Sequence, residues 1–93
     1  MAPEAECFLD VSDLEPPEPL VRALAEIDML NQGQYLHMRH RREPCLLYPN
    51  LEKRGFAHLT CAGENGFDVF IWRKDDSVAE QAACVAANES AEE

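Results

Sequence analysis

Apolar and polar residues alternate in four short segments of the chain, and this period of two predicts four β-strands. The segments are residues 7–12, about 34–41, 56–61 and 67–74. On each strand the aliphatic side chains are expected to face the protein core. These core-facing positions are Cys7, Leu9 and Val11, Leu36 and Met38, Ala57, Leu59 and Cys61, and Phe67, Val69 and Ile71.

Two helices are predicted between these strands. Pro17 suits the first turn of a helix, where backbone N–H groups have no intrahelical partner. A second, shorter helix opens after Pro44, carries Leu47 and Leu51, and ends at Gly55. In the first helix the apolar residues recur at helical spacing and form one stripe, made of Leu20, Ala23, Leu24, Ile27 and Leu30.

The resulting order of elements is β-α-β-α-β-β. A crossover through a helix is almost always right-handed, so strands one and two are expected to be parallel. Residues 62–66 predict a hairpin loop between the last two strands. We therefore predict one α/β domain over residues 1–74, followed by an acidic tail over residues 75–93.

Charge is distributed unevenly between the predicted domain and its tail. The chain has 93 residues and a formal charge of −10, and residues 75–93 contain six acidic residues and no basic one. Such a surface repels phosphate backbones, so nucleic acid is not expected as a partner. The tail also lacks large apolar residues to offset the entropy of ordering, which favours a frayed tail. The alternative is a weak amphipathic helix through Val78, Ala82 and Val85.

Cysteine spacing and the length of hydrophobic runs indicate in which cellular compartment the protein is found. The four cysteines, Cys7, Cys45, Cys61 and Cys84, form no C-x-x-C pair and no metal-ligand spacing. No apolar run reaches the roughly 20 residues of a membrane span, and residues 1–6 lack the features of a secretory signal. We expect a cytoplasmic protein with reduced thiols, no membrane contact and no cofactor.

Three histidines, His37, His40 and His58, raise the question of a metal site. Residues 37 and 40 are an odd number of positions apart on one predicted strand, so their side chains point to opposite faces. His37 and His58 would meet only if their strands were neighbours. We therefore expect surface or edge histidines and no metal site.

The start of the first predicted helix resembles that of the TusA/SirA-like sulfur carriers. In that family, leucine-aspartate on the first strand is followed by a cysteine-proline-x-proline motif that opens the helix. The matching residues here are Leu9-Asp10 and then Leu14-Glu15-Pro16-Pro17-Glu18-Pro19-Leu20. Pro16 takes the position of the cysteine.

A longer stretch, residues 8–74, is more similar to a branch known as the domain of unknown function 2249 family. The further matching pieces are Arg42-Glu43-Pro44, Leu47-Tyr48-Pro49 and Glu52-Lys53-Arg54-Gly55-Phe56. The resemblance implies an α/β two-layer sandwich, with a four-stranded mixed sheet and two helices on one face. It implies no known activity for this branch.

Replacement of the family cysteine removes the sulfur-carrying chemistry at that position. Sulfur carriers hold a persulfide on a thiolate at a helix N-terminus, where N–H groups and the helix dipole lower the thiol pKa. Pro16 has no nucleophilic atom. Cys45, which follows Pro44 and lies near Arg41 and Arg42, is the alternative reactive thiol, and an unreactive first-turn residue is the competing interpretation. No nucleophile–base–orienter set is visible, so an enzyme is not favoured.

One edge of the predicted sheet gathers charged residues. Both helix starts follow the carboxyl ends of parallel strands, where open α/β sheets tend to bind ligands. The predicted edge cluster consists of Asp13, Glu15, Pro16, Pro17, Glu18, His40, Arg42 and Glu43. Two helix starts and an arginine favour an anion or small metabolite. An internal arginine–carboxylate network that fixes the loops is the alternative.

The second face of the sheet is aromatic by the same alternation. Its predicted members are Phe8, Tyr35, His37, Phe56, His58, Phe70 and Trp72. If both helices cover the other face, this aromatic face is open and marks an interface with a protein partner or a second copy. Cover by the C-terminal tail is the alternative.

The favoured function is therefore a non-catalytic interaction module that binds a protein partner or self-associates. The alternatives are a sulfur-handling or redox protein that uses Cys45, and a small-anion or metabolite binder near Arg42.

Overall fold

A computed structural model describes residues 5–64 and 66–91 of the chain. The elements in chain order are β1 (Glu6–Asp10), α1 (Glu18–Ile27), β2 (Tyr35–His40), α2 (Leu47–Lys53), β3 (Phe56–Gly63), β4 (Gly66–Arg73) and α3 (Ser77–Ala91). The four strands and the first two helices follow the predicted order. Among the described helices, none is long and apolar enough to cross a membrane.

The four strands form one mixed sheet in the order β1-β2-β4-β3. β1 and β2 are parallel neighbours, which confirms the expectation drawn from the helical crossover. β4 pairs antiparallel with both β2 and β3, so the hairpin that joins β3 to β4 inserts its second strand into the centre of the sheet. Strand β2 is therefore flanked on both sides, and its carboxyl end at His40 lies beside that of β1.

Helices α1 and α2 lie on one face of the sheet and cover the larger core. In α1, Pro19 occupies the first turn, and Ala23 and Ile27 are fully buried one helical turn apart. In α2, Leu47 and Leu51 repeat that spacing. The sheet residues that they meet are Leu9, Val11, Leu36, Met38, Phe56, Val69 and Ile71. The predicted core faces of strands β1, β2 and β4 are thus confirmed, apart from partial exposure at Cys7 and Phe67.

The opposite face of the sheet is covered by helix α3, so the expectation of a frayed tail is wrong. Ala79, Ala83 and Ala87 repeat every four residues and are buried against the aromatic side chains of the sheet. A methyl group at each contact lets the helix backbone lie close to Tyr35, Phe70 and Trp72. The large apolar area comes from the sheet and not from the tail, which is why the tail's own composition did not reveal it. The fold has three helices on two faces, where two helices on one face were expected.

Helix α3 starts at a side-chain cap that also ties it to the sheet. One carboxylate oxygen of Asp76 accepts the backbone N–H of Ala79 at 3.1 Å, as an N-cap does. The other oxygen accepts the backbone N–H of Gly33, in the loop before β2, at 2.7 Å. These two hydrogen bonds lower the pKa of Asp76.

Strand β3 presents the opposite faces to those predicted. Gly63 pairs with Gly66 across a two-residue loop, and this register places Ala57 opposite Trp72. Directly opposed residues share a face, so Ala57 and Cys61 turn towards α3, and Phe56 turns towards the core under α1 and α2. Both faces of this strand carry apolar residues, and the hairpin loop decides between them.

Candidate functional site

A cavity of about 290 Å³ lies between the start of α1 and the segment that leads into α2. It sits outside the carboxyl ends of the parallel strands β1 and β2, which is the location where open α/β sheets bind ligands. The residues that line it are Pro16, Pro17, Pro19, Leu20, Met38, His40, Arg42, Glu43, Pro44, Cys45, Leu46 and Leu47. Eight of these twelve residues are proline, leucine or methionine, so the cavity is largely apolar.

Proline forms much of the cavity wall. Pro16, Pro17 and Pro19 approach from the start of α1, and the Pro16–Pro17 peptide bond is cis. Pro44 contributes from the segment before α2. Proline has no backbone N–H, so the proline part of the wall offers carbon surface without hydrogen-bond donors. Pro16 therefore contributes apolar contact and no nucleophile.

His40 is the one buried polar side chain of the wall among the described residues, with 8% of its surface exposed. Its Nδ1 accepts the backbone N–H of Arg42 at 3.2 Å. In the neutral ring the proton therefore resides on Nε2, which makes no hydrogen bond with any described residue and keeps some exposed surface. Burial, followed by the charges of Arg41 and Arg42, lowers the pKa of His40. The cavity thus has a fixed, neutral N–H donor in its wall.

Only part of the predicted edge cluster lines the cavity. Pro16, Pro17, His40, Arg42 and Glu43 do so. The carboxylates predicted to accompany them, Asp13, Glu15 and Glu18, are exposed and do not line it. Within residues 5–64 and 66–91, no ion pair joins any of these carboxylates to Arg42. The expectation of an internal arginine–carboxylate network is therefore wrong, because the first-turn side chains project into solvent.

Cys45 lies at the cavity, but it does not stand at the start of a helix as predicted. Helix α2 begins at Leu47, so Cys45 precedes the helix and is not in its first turn. The Cys45 thiol faces an oxygen of Glu43 at 3.9 Å. Reactive thiolates are stabilised by cations or N–H groups, whereas the group beside this thiol is a carboxylate.

Glu43 is in turn held by the residues next to it. Its second oxygen accepts from the hydroxyl of Tyr48 at 3.4 Å, and that hydroxyl shares a hydrogen bond of 2.6 Å with Thr60. Burial raises the pKa of Tyr48. The Glu43 carboxylate is thus engaged on both oxygens, and Arg42 is the cation that faces the cavity without an ion pair among the described residues.

The residues predicted as an aromatic interface are divided among three environments. Tyr35, Phe70 and Trp72 are buried under α3. His58 lies on the opposite face of the sheet, where its ring stacks on Tyr48 at 4.4 Å. Phe8 is 51% exposed, beyond the reach of α3 on strand β1. The expectation of an open aromatic face is wrong, and binding of a protein partner or second copy stays a prediction.

His37, another member of that set, is the centre of a polar cluster, and Phe56 lies in the core under α1 and α2. Its Nε2 lies 2.7 Å from Asp68 and its Nδ1 lies 3.4 Å from Glu6. The Tyr35 hydroxyl donates to Glu6 at 2.8 Å, and burial together with this bond raises the pKa of Tyr35. These contacts bind the exposed edge of β1 to β2 and β4.

The three histidines occupy separate places. His37 and His40 point to opposite faces of β2, as predicted, and His58 is on β3, which is not a neighbour of β2. In the part of the chain that the structure describes, no group of three His, Cys, Asp or Glu side chains is arranged to hold a metal ion.

Sequence reasoning missed the apolar half of the cavity. Leu20, Met38 and Leu47 were assigned to helix stripes or strand faces and nothing more. The available signal was the pair Leu46-Leu47: on a short helix, only one of two adjacent residues can face the core. Leu47 is buried, and Leu46 is 77% exposed at the cavity.

Comparison with known proteins gives a family for the chain. A family model described as "Uncharacterized conserved protein (DUF2249)" matches residues 8–73, which are 66 of the 93 residues. The chain belongs to this family. The match runs from β1 to the end of β4 and includes every residue that lines the cavity, whereas α3 lies outside it. A search of curated proteins finds no match.

Proposed function

We propose that this protein is a non-catalytic binding module of TusA/SirA-like fold, whose cavity takes a small and largely apolar ligand. The TusA/SirA-like assignment is supported by the order of the first six elements and by Pro17-Glu18-Pro19 at the start of α1. Helix α3 is an addition to that pattern. The sulfur carriers use this end of the fold for a persulfide, and here Pro16 supplies a ring.

The observation that carries the proposal is the cavity itself. Its volume of about 290 Å³ lies at the lower end of the range of roughly 300–1,000 Å³ that is typical of ligand sites. Its wall is apolar with a small number of polar groups, which is the composition that such sites have. Four prolines in that wall restrict its backbone, so little ordering entropy is lost on binding.

The wall argues against catalysis. Acyl, phosphoryl or sulfur transfer would require an activated nucleophile or a base directed at one. The thiol of Cys45 faces a carboxylate, and the Nδ1 of His40 is bonded to the backbone. The groups at the cavity can bind and orient a ligand.

Nuclear magnetic resonance of the ¹⁵N-labelled protein tests this proposal. Hexanamide and hexanoate serve as probes, since both present the same short apolar chain. We expect at least one of them to shift the amide signals of Leu20, Met38 and Leu47, with a dissociation constant in the range of about 1 mM or below. Signals of Val78 and Val85, exposed on α3, should not move.

A matched pair of variants locates the binding. Leu20→Trp places a large ring in the cavity wall and should abolish the shifts. Val21→Trp places the same ring at the next position of α1, which is exposed and outside the cavity, and should leave them intact. Failure of both probes to shift any cavity residue would contradict the proposed function.

A further inference from the structure

We infer that the cavity selects a ligand with one carboxylate on an apolar body, and that the carboxylate accepts the Nε2–H of His40 beside the guanidinium of Arg42. This inference rests on the proposed function and names its ligand class. Three features of the cavity lead to it: a hydrogen-bond donor and a cation that have no partner among the described residues, and a limit on size.

The donor is the ring of His40. More than nine tenths of this side chain is buried, and it lines the cavity. Because Nδ1 already accepts the backbone N–H of Arg42, the tautomer is fixed and Nε2–H is the free group. Nε2 itself keeps some exposed surface, so its N–H can donate to a group in the cavity. A ligand oxygen in the cavity supplies the acceptor that no described residue provides.

The local charge selects an anionic oxygen over a neutral one. Arg41 and Arg42 are close enough to His40 to disfavour its protonation, and Arg42 lines the cavity without an ion pair among the described residues. The opposing charge at the cavity is Glu43, whose oxygens face two neutral groups, the Cys45 thiol at 3.9 Å and the Tyr48 hydroxyl at 3.4 Å. A carboxylate placed between Nε2–H and Arg42 gains a charge-assisted hydrogen bond, whereas an amide gains only a neutral hydrogen bond.

The rest of the wall limits the size and the number of charges of the ligand. Prolines, leucines and Met38 leave carbon surface for an unbranched or lightly branched chain, and about 290 Å³ leaves room for one small molecule. A second charged group would be desolvated without a partner, which is strongly unfavourable. The ligand is thus a short monocarboxylic acid and not a compact inorganic anion.

Titration of hexanoate against hexanamide tests the class directly. The two probes share a chain and differ in the charge of the head group. We expect hexanoate to bind about tenfold more tightly or better. Inorganic phosphate, as a compact anion, should not displace hexanoate at matched ionic strength. Equal binding of the two organic probes would overturn the carboxylate assignment and leave the proposed function standing. Displacement by phosphate at equal concentration would also overturn it.

Two substitutions at His40 distinguish the role of its Nδ1 from that of its Nε2. Asparagine places an acceptor near the position of Nδ1, which keeps the bond to Arg42, and offers no donor at the position of Nε2. Glutamine extends its amide N–H to the position of Nε2. We expect His40→Asn to weaken hexanoate about tenfold, and His40→Gln to stay close to the wild-type affinity. The reverse order would overturn the role of Nε2–H.

Arg42 has a matched control in Arg22, which is exposed on α1 and does not line the cavity. Arg42→Gln should remove most of the preference for hexanoate over hexanamide, and Arg22→Gln should preserve it. A further measurement needs no variant: the imidazole ¹⁵N and Nε2–H signals of His40 in the wild-type protein should shift when hexanoate binds. If hexanoate shifts the cavity amides but leaves the His40 ring signals unchanged, the inference is refuted.

Discussion

The packing of α3 on the sheet can be tested by adding volume at one of its buried alanines. Ala83 is fully buried between the helix and the aromatic face, so its methyl group has no free space beside it. Ala83→Leu introduces three further carbon atoms into that contact. Gln81→Leu introduces the same side chain two positions earlier, where the helix surface is exposed.

The expected magnitude follows from this difference in burial. Extra carbon atoms in a well-packed contact lower the free energy of unfolding of the protein by about 1–3 kcal/mol, because neighbouring side chains must leave their preferred rotamers. For a domain of this size, that corresponds to a fall in the melting temperature of roughly 4–24 °C. The exposed control should change the free energy of unfolding by no more than about 0.5 kcal/mol.

The assay is urea unfolding monitored by fluorescence and circular dichroism. Trp72 is the one tryptophan of the chain and is buried under α3, so its emission reports the docking of the helix directly. We expect Ala83→Leu to lower the urea midpoint and to shift Trp72 emission to longer wavelength. Indistinguishable midpoints for the Ala83 and Gln81 variants would show that α3 does not pack on the sheet, and the burial of the aromatic face would be refuted.

Two further predictions concern the ends of elements. Asp76→Asn should destabilise the protein at neutral pH more than Asp75→Asn does, because Asp76 uses two acceptor oxygens, for the N–H groups of Gly33 and Ala79, and asparagine has only one. Since the pKa of Asp76 is lowered in the folded state, its contribution is present above the ordinary aspartate pKa and is lost as pH falls through the folded value. The difference between the two variants should therefore shrink between pH 7 and pH 3, and a constant difference would contradict the cap. Gly66→Ala should cost more than about 2 kcal/mol, because φ is +131° and a Cβ there would collide with the carbonyl oxygen of His40. Gly63→Ala, across the same hairpin, has room for a Cβ and should cost less, so equal melting temperatures would refute the close approach to His40.

The elements that the sequence predicted are those with a strong internal pattern. The stripe that contains Ala23 and Ile27 repeats at helical spacing with large side chains, and it forms α1. The alternation of Leu36 and Met38 with polar residues forms β2. In both cases the local period and the final packing agree.

Helix α3 was only the alternative prediction for the tail, because its apolar contribution is made of methyl groups. Composition measures what a segment brings to a contact, and here the sheet supplies most of the area through Phe70 and Trp72. The spacing of Ala79, Ala83 and Ala87 was visible in the sequence, but its value depends on a surface formed by residues far away in the chain.

The predictions for the faces of strand β3 and for the residues of the cavity were wrong for a related reason. Residues 56–61 carry apolar side chains on both faces, so the alternation alone does not decide which face is buried. The pairing of Gly63 with Gly66 decides it. The edge cluster was placed at the correct end of the sheet, but its first-turn carboxylates face solvent while Met38 and Leu47 line the cavity.

The central claim is that the cavity beside His40 is a ligand site, and its own thiol offers the most direct test. Cys45 lines the cavity and is exposed, and Cys84 is also exposed, on α3 and outside the cavity lining. The rate of maleimide labelling at each thiol is measured by mass spectrometry with and without saturating hexanoate. We expect hexanoate to slow labelling of Cys45 and to leave labelling of Cys84 unchanged. Unchanged labelling of Cys45 in the presence of hexanoate would contradict the central claim.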